Sequence, residues 1–175
     1  MRRRLPAGFA IVVLAVAGYL LVFRDKSVTP RLVPVEPTSA IGSGSSAVGV
    51  SAEGAVLTWL PPPKESSLPQ LPLSEAPKSG RLAGPALQQA RVLGAAPAEL
   101  RPYLKSSRYG ESGVDVELSS GVELRFGDAS EAAKKWRAAA AVLADPSVTA
   151  LDYVDLNAPG RPTIGGSGHA LPSVP

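Results

Sequence analysis

The sequence predicts an α+β domain in which an antiparallel sheet carries two or three helices on one face. Residues 114–126 alternate apolar and charged side chains around a glycine turn, which is typical of a hairpin. Residues 128–144 follow with the apolar spacing of an amphipathic helix, and residues 150–156 form an apolar strand. These elements fit one modest domain, because 175 residues cannot hold two full domains beside their attachments.

The composition argues against several functional classes. Lys and Arg number 18 against 15 Asp and Glu, and three of the arginines lie at residues 2–4, so the rest of the chain is balanced. Balanced charge and 5% aromatic residues do not favour nucleic-acid binding, which uses clustered basic groups and stacking platforms. Cysteine is absent and the single His169 lies in a Gly/Ser/Pro-rich tail. We therefore expect no metal site, no cofactor and no small-molecule substrate.

The N-terminus has the pattern of a membrane anchor. Residues 5–23 carry no charge, and as a helix these 19 residues would span about 28 Å, close to the hydrocarbon core of a bilayer. The arginines of residues 1–4 predict a cytoplasmic tip, which places the rest of the chain outside the cell (inner) membrane. A signal peptide cleaved after Ala17 is the alternative, although the apolar run continues to Phe23.

Three segments are rich in Pro, Gly or Ser. Residues 24–46 contain three prolines and a Gly/Ser cluster, which predicts a linker. Residues 61–85 contain seven prolines and are expected to be either an extended connection over the domain or a disordered loop. Residues 167–175 are expected to be a disordered tail.

The folded domain is expected at residues 47–166, and its first elements are a hairpin and a helix. The hairpin has strands at residues 47–50 and 55–59 around a turn that closes on Gly54. A helix then runs from Pro85, with Gly94 as a left-handed cap. A short second helix at 97–101 is expected to end at the following proline.

The hairpin at residues 114–126 has the clearest pattern. Gly121 suits a three-residue turn, which places all the apolar side chains on one face. The same register sets Asp115 against Arg125. It also sets Glu117 against Glu123, and two facing carboxylates can serve as general acid and base. On a solvated face without a third polar group they do not favour an enzyme.

The helix after this hairpin is expected to begin with a capping box and to contribute to the core. Asp128 would be the N-cap and Glu131 the residue that completes the box. Trp136 lies on the apolar face and is expected to be buried. The basic residues are expected to form a solvated patch: Lys134, Lys135 and Arg137.

The last strand is expected to be central or to face a partner, because residues 150–156 place apolar groups on both faces. Residues 157–164 follow as a candidate edge. Pro159 and Pro162 would each remove a backbone donor from this edge, so any strand that pairs with it would be short.

In this order, the elements resemble the extracytoplasmic β domain of the bacterial cell-division family FtsQ/DivIB. The most specific part is a Phe-Gly pair at 126–127 before a lysine-bearing helix, then Tyr-Val-Asp-Leu at 153–156 and Pro-Gly-Arg-Pro at 159–162. The resemblance covers residues 47–166. Members of this family normally carry a small POTRA domain between membrane and β domain, and residues 24–46 are too few to form one.

The resemblance implies a non-catalytic, bitopic scaffold of the divisome that binds FtsB-like and FtsL-like proteins at the septum. In the family, a partner segment adds to the C-terminal edge strand of the β domain, where unpaired N–H and C=O groups are available. Carried over to this chain, the partner-binding residues are Tyr153, Asp155, Asn157, Arg161, Thr163 and Ile164. The alternative is a generic envelope-anchored or secreted protein-interaction module that is not tied to cell division.

Overall fold

The structure is a computed structural model that describes residues 35–61 and 68–171. The predicted tip, the predicted anchor at 5–23 and the first part of the predicted linker lie outside these residues. No helix in the described ranges is both long and apolar enough to cross a membrane. In chain order, the elements are β1 (Ser39–Ile41), β2 (Val48–Val50), α1 (Gly84–Gly94), β3 (Leu104–Gly110), β4 (Gly113–Leu118), β5 (Glu123–Gly127), α2 (Ala132–Leu143), β6 (Ala150–Asp155) and β7 (Thr163–Ala170).

The main sheet has the strand order β3-β4-β5-β6-β7, and β1 and β2 form a separate antiparallel pair. Neighbours in the main sheet are antiparallel except β5 and β6, which are parallel. A parallel pair cannot be closed by a hairpin, so the chain crosses over through α2. The predicted α+β class with two helices and a largely antiparallel sheet is confirmed, and the one parallel pair is a feature that the sequence pattern did not indicate.

The folded part begins earlier than the sequence predicts. β1 lies inside the segment 24–46, for which the sequence predicts a linker, and all three of its residues are buried. Only one of the three, Ile41, is a large apolar residue, so the strand leaves little hydrophobic signal. Gln70 forms backbone bridges with both Ala40 of β1 and Ser106 of β3. The described part of the proline-rich stretch is therefore an extended connection that joins the two sheets.

The first hairpin and the first helix match the prediction in outline and differ in two details. The turn at 51–54 closes as expected, with Gly54 at a φ of +76°, but β2 takes β1 as its main strand partner. Gly94 is helical, and a Cβ there would lie 2.3 Å from the Cβ of Ala52. Its role is thus to allow close packing, and the predicted left-handed cap is wrong. In place of the short helix at 97–101, a 3-10 turn forms at Arg101–Tyr103.

The predicted hairpin register is confirmed from Asp115 to Arg125, and a bulge beyond it pairs Val114 with Gly127 instead of Phe126. Asp115 pairs with Arg125, Glu117 pairs with Glu123, and Gly121 adopts a φ of +93° in the turn. The apolar side chains of this hairpin are buried and face the helices.

Trp136 of α2 is fully buried in the core, as the sequence predicts. Its indole Nε1 donates a 2.7 Å hydrogen bond to the carbonyl oxygen of Val92 in α1, and its ring lies 4.7 Å from that of Phe126 in β5. A buried indole is costly unless its N–H has an acceptor. Trp136 therefore ties both helices to the sheet.

The start of α2 differs from the predicted capping box. The helix begins at Ala132, and Glu131 precedes it with a left-handed φ of +52° and pairs with Lys134. Asp128 accepts hydrogen bonds from the backbone N–H and the hydroxyl of Ser130 instead of capping the helix. The Ser130 hydroxyl, followed by the ammonium group of Lys135, lowers the pKa of Asp128 to about 2.

Lys135 is buried, which corrects the prediction of a solvated basic patch. Only 3% of this residue is exposed. Its Nζ donates to the carbonyl oxygens of Phe126 and Asp128 at 2.9 and 3.0 Å, and to the carboxylate of Asp128 at 2.9 Å. Three acceptors compensate for removing the ammonium group from water. Lys135 therefore fixes the end of β5 against the first turn of α2.

Replacing Trp136 with Ala should lower the free energy of unfolding by about 3–5 kcal/mol, because it leaves a large cavity and an unpaired carbonyl at Val92. Chemical denaturation of the two proteins measures this loss. Trp59→Ala is the control, because Trp59 is 70% exposed and should change stability by less than about 0.5 kcal/mol. A loss below about 1 kcal/mol in Trp136→Ala would contradict its place in the core.

Replacing Lys135 with Met should cost about 1–3 kcal/mol, because Met fills similar space but leaves buried carbonyl oxygens without a donor. The neighbouring Lys134→Met, on an exposed side chain, should be close to neutral. Titration of Asp128 by NMR gives a second measurement: its pKa should rise in Lys135→Met and stay near 2 in Lys134→Met. Equal stability of the two variants would contradict the buried anchoring role.

Candidate partner-binding edge

The two edges of the main sheet are not equivalent. At the β3 edge, the bridge from Gln70 to Ser106 already occupies part of the backbone. At the other edge, β7 pairs with β6 on one side, and no other described residue pairs with its outer side. Unpaired N–H and C=O groups along such a strand can receive a strand from another chain.

The open edge has the predicted length of eight residues but lies six residues further along the chain. β7 runs from Thr163 to Ala170, so the first residues of the predicted tail are part of a strand. Pro159 and Pro162 lie in the loop before β7, which corrects the expectation that they remove donors from the edge. The strand escaped prediction because Gly165, Gly166 and Gly168 interrupt its apolar pattern. β7 therefore keeps a backbone N–H at each of its eight residues.

Of the six residues predicted to bind a partner, only Thr163 and Ile164 lie on the edge strand. Both are exposed, and they face Asp155 and Val154 of β6 respectively. Ile164 has 47% of its surface exposed, an uncovered apolar side chain on the open edge. These two residues are in a position to contact an added strand directly.

Tyr153 and Asp155 lie one strand behind the edge, on β6, which is central as predicted. The guanidinium carbon of Arg125 lies 3.9 Å from the centre of the Tyr153 ring, a cation–π contact. A Cβ at Gly165 would lie 2.6 Å from the Tyr153 hydroxyl, so the tyrosine covers this glycine of β7. Tyr153 thus packs against β7 from the neighbouring strand, next to the open edge.

The other two predicted residues lie in the loop that joins β6 to β7. Asn157 donates from its backbone N–H and its side-chain amide to the carboxylate of Asp155, both at 2.9 Å. Its amide oxygen also lies against Gly127, where a Cβ would approach it to 1.9 Å. Arg161 is exposed at the far end of the loop. Asp155 and Asn157 therefore shape the loop, and the structure gives them no position on the edge itself.

A chain of ion pairs crosses the sheet on the face opposite the helices and ends at Tyr153. Arg108 of β3 contacts Asp115 at 3.2 Å and Glu123 at 2.5 Å, and Glu123 contacts Arg125 at 2.6 Å. Burial, followed by the nearby charge of Glu123, raises the pKa of Asp115. Since Arg125 then packs on Tyr153, the network connects β3 to the strand behind the open edge.

The facing carboxylates Glu117 and Glu123 are both held in their charged forms. Hydrogen bonds from Lys105, at 2.8 Å, and from Ser106 lower the pKa of Glu117. Burial acts to raise the pKa of Glu123, but the hydrogen bonds from Arg125 and Arg108 outweigh it and lower that pKa. A general acid needs a raised pKa at neutral pH, so this pair does not favour acid–base catalysis.

Sequence reasoning missed β3, which supplies Lys105, Ser106 and Arg108 to this face. Only Leu104 and Ser107 of this strand are buried, so its side chains give no clear period of two. One feature of the neighbouring hairpin could have indicated β3. In the predicted register Glu117 and Glu123 face each other without basic partners, so a further strand that carries basic residues was to be expected beside them.

Replacing Gly165 with Ala should push the Tyr153 ring off Arg125 and lower stability by about 1–3 kcal/mol, as overpacking does. Gly160→Ala is the matched control, since no atom lies within 4 Å of a Cβ there and it should be nearly neutral. If the tyrosine is the obstacle, Tyr153→Ala should make the Gly165→Ala change much less costly, which a double-mutant cycle by chemical denaturation measures. Simple additivity of the two changes would contradict the contact.

Comparison with known protein families adds an independent finding. The family described as "Cell division protein FtsQ/DivIB, C-terminal" matches residues 42–157, which is about two thirds of the chain and includes β2 to β6. A search of curated proteins gives no match. This match covers most of the domain and confirms the predicted resemblance. The chain therefore belongs to the FtsQ/DivIB family of cell-division proteins.

Proposed function

We propose that this protein is a non-catalytic membrane scaffold of the bacterial divisome that binds FtsB-like or FtsL-like proteins by accepting a strand at β7. The carrying observation is the unpaired outer side of an eight-residue edge strand in a chain that belongs to a cell-division family. The scaffold is tethered through residues 5–23, with its N-terminus in the cytoplasm and this domain outside, and it acts at the septum.

Backbone hydrogen bonds account for the affinity in this proposal, and side chains account for the choice of partner. An added strand can use the free N–H and C=O groups of alternate residues in β7. Thr163 and Ile164 would contact it directly. Tyr153 and Arg125, at the end of the ion-pair network, lie further from the edge and would contact only longer side chains of the added strand. Arg161 lies on the exposed loop at the start of the edge, where it would suit an acidic group on the partner.

The polar face of the sheet also supports a scaffold role. Its charged groups pair with one another, so the face stays soluble without a covering layer. Along the outer side of β7, no described residue pairs with the backbone groups, and Ile164 exposes apolar surface there. Binding at the edge therefore satisfies groups that the domain leaves open, whereas binding on the face would have to break existing ion pairs.

Replacing Ile164 with Lys should abolish partner binding with little change in stability, because charge on an edge strand opposes strand addition. Tyr109→Lys is the matched control: Tyr109 has 42% of its surface exposed on β3, at the opposite edge. The full chain carrying each change is expressed with an N-terminal fluorescent fusion in its native host. Co-purification of FtsB-like and FtsL-like proteins is measured together with fluorescence at midcell.

The point change is preferable to deleting residues 150–166, since that deletion removes β6 from the centre of the sheet. Loss of partner and of the midcell band in Ile164→Lys, with both retained in Tyr109→Lys, supports the proposal. Retained binding in both variants would place the partner elsewhere on the domain. Uniform membrane fluorescence of the unmodified chain would instead favour the alternative of a general envelope interaction module.

A further inference from the structure

The open edge contains an irregularity that its sequence explains. On β6, Leu151 and Tyr153 are two residues apart, but the residues that face them on β7, His169 and Gly165, are four apart. β7 therefore carries two surplus residues at this point and forms a bulge. A bulge on an edge strand bends the strand and interrupts the pairing surface that a partner meets.

The carboxylate of Asp152 lies inside this bulge. Its Oδ1 accepts a 2.7 Å hydrogen bond from the backbone N–H of Gly168. A Cβ at Gly166 would lie 1.9 Å from one carboxylate oxygen, and a Cβ at Gly168 would lie 2.4 Å from the other. Gly166 also has a φ of +79°. Both glycines are thus required by the side chain that lies between them.

A regular alternative exists for the same strand. If the pairing at Tyr153 and Gly165 continued without a bulge, Leu151 would face Ser167 and Ala150 would face Gly168, two residues from their observed partners. A shift of two residues leaves each side chain of β7 on its own face, and glycine-rich strands specify register weakly.

Two contacts beyond the bulge also favour the observed register. The imidazole of His169 covers Gly121, where a Cβ would lie 2.5 Å from it, and the backbone N–H of Leu171 donates to the carbonyl oxygen of Thr149 at 2.9 Å. Both act after the surplus residues. Asp152 acts on the bulge itself, with a charged acceptor, which makes a stronger hydrogen bond than a neutral one.

We propose that Asp152 is a positioning residue that sets the register of the open edge and thereby decides which residues of β7 a partner can pair with. With Asp152 in place, residues 163–165 form the regular segment and the bulge ends it. This inference rests on the proposed function, because the register of β7 matters to a partner only if the partner pairs with this edge. The register itself can be tested without a partner.

The absence of cysteine from the chain allows a direct test by disulfide formation. In the full chain, cysteines at Ala150 and Ala170 report the observed register, since these residues face each other. Cysteines at Ala150 and Gly168 report the register shifted by two. Each pair is introduced into the otherwise unmodified chain and into Asp152→Ala, Asp152→Asn and Asp155→Ala.

We expect the first pair to close in the unmodified chain and the second to remain open. In Asp152→Ala, the ratio of the second product to the first should rise at least about tenfold, which is the scale of losing a charged hydrogen bond. Asp152→Asn keeps an acceptor oxygen but loses the charge, so its ratio should lie between those of the unmodified chain and Asp152→Ala. Asp155→Ala is the matched control, because that carboxylate binds Asn157 in the preceding loop and makes no hydrogen bond to β7.

Because a Cβ at Gly168 would lie 2.4 Å from the Asp152 carboxylate, the register is also measured without any cysteine, by amide exchange of Gly168. Exchange should be at least about tenfold faster in Asp152→Ala than in Asp155→Ala, with Asp152→Asn between the two. An unchanged product ratio together with unchanged exchange would overturn the inference and leave the proposed function intact. Retained partner binding in Ile164→Lys, together with a shifted register in Asp152→Ala, would have the opposite meaning: it would overturn the proposed function and leave the inference about the register intact.

Discussion

The parallel pairing of β5 with β6 is the constraint on which the rest of the domain depends. Two parallel strands need a crossover, and α2 provides it on the face that the apolar side chains already define. Two adjacent residues hold α2 in place, one aromatic and one charged. Trp136 enters the core and reaches α1, while Lys135 binds carbonyl oxygens at the end of β5. Once the crossover is closed, β6 is central and β7 has to be an edge.

This arrangement gives the domain two different edges and two different faces. The proline-rich connection reaches β3 through Gln70, so that edge is partly used by the chain itself. The helices cover one face, and self-paired charges cover the other. The outer side of β7 is the edge with which no other described residue pairs, and its place beside β6 is a consequence of the crossover. The candidate site therefore follows from topology more than from any cluster of reactive groups.

The sequence predicted those parts of the fold whose side chains are sorted by burial. The register of the β4–β5 hairpin was predicted from Asp115 to Arg125, because its apolar and charged positions alternate and Gly121 marks the turn, but the bulge that pairs Val114 with Gly127 was not predicted. β1, β3 and β7 could not be predicted in this way, since small or polar side chains occupy most of their positions. Lys135 shows the same limit. Its buried state depends on carbonyl oxygens left free at the end of β5, and no pattern of residue types records free carbonyl groups.

An open strand without charge is a hazard as well as a site, because any exposed edge can pair with the wrong chain. β7 carries no acidic or basic side chain apart from His169, and three of its eight residues are glycine. Such a strand would be a permissive template if it were straight. The prolines in the preceding loop and the bulge at Asp152 leave only a short regular segment between them. A long flat strand from another chain could therefore pair with β7 over that segment but not over its whole length. On the proposed function, the irregularity that weakens β7 as a strand would thus also make it selective as an edge.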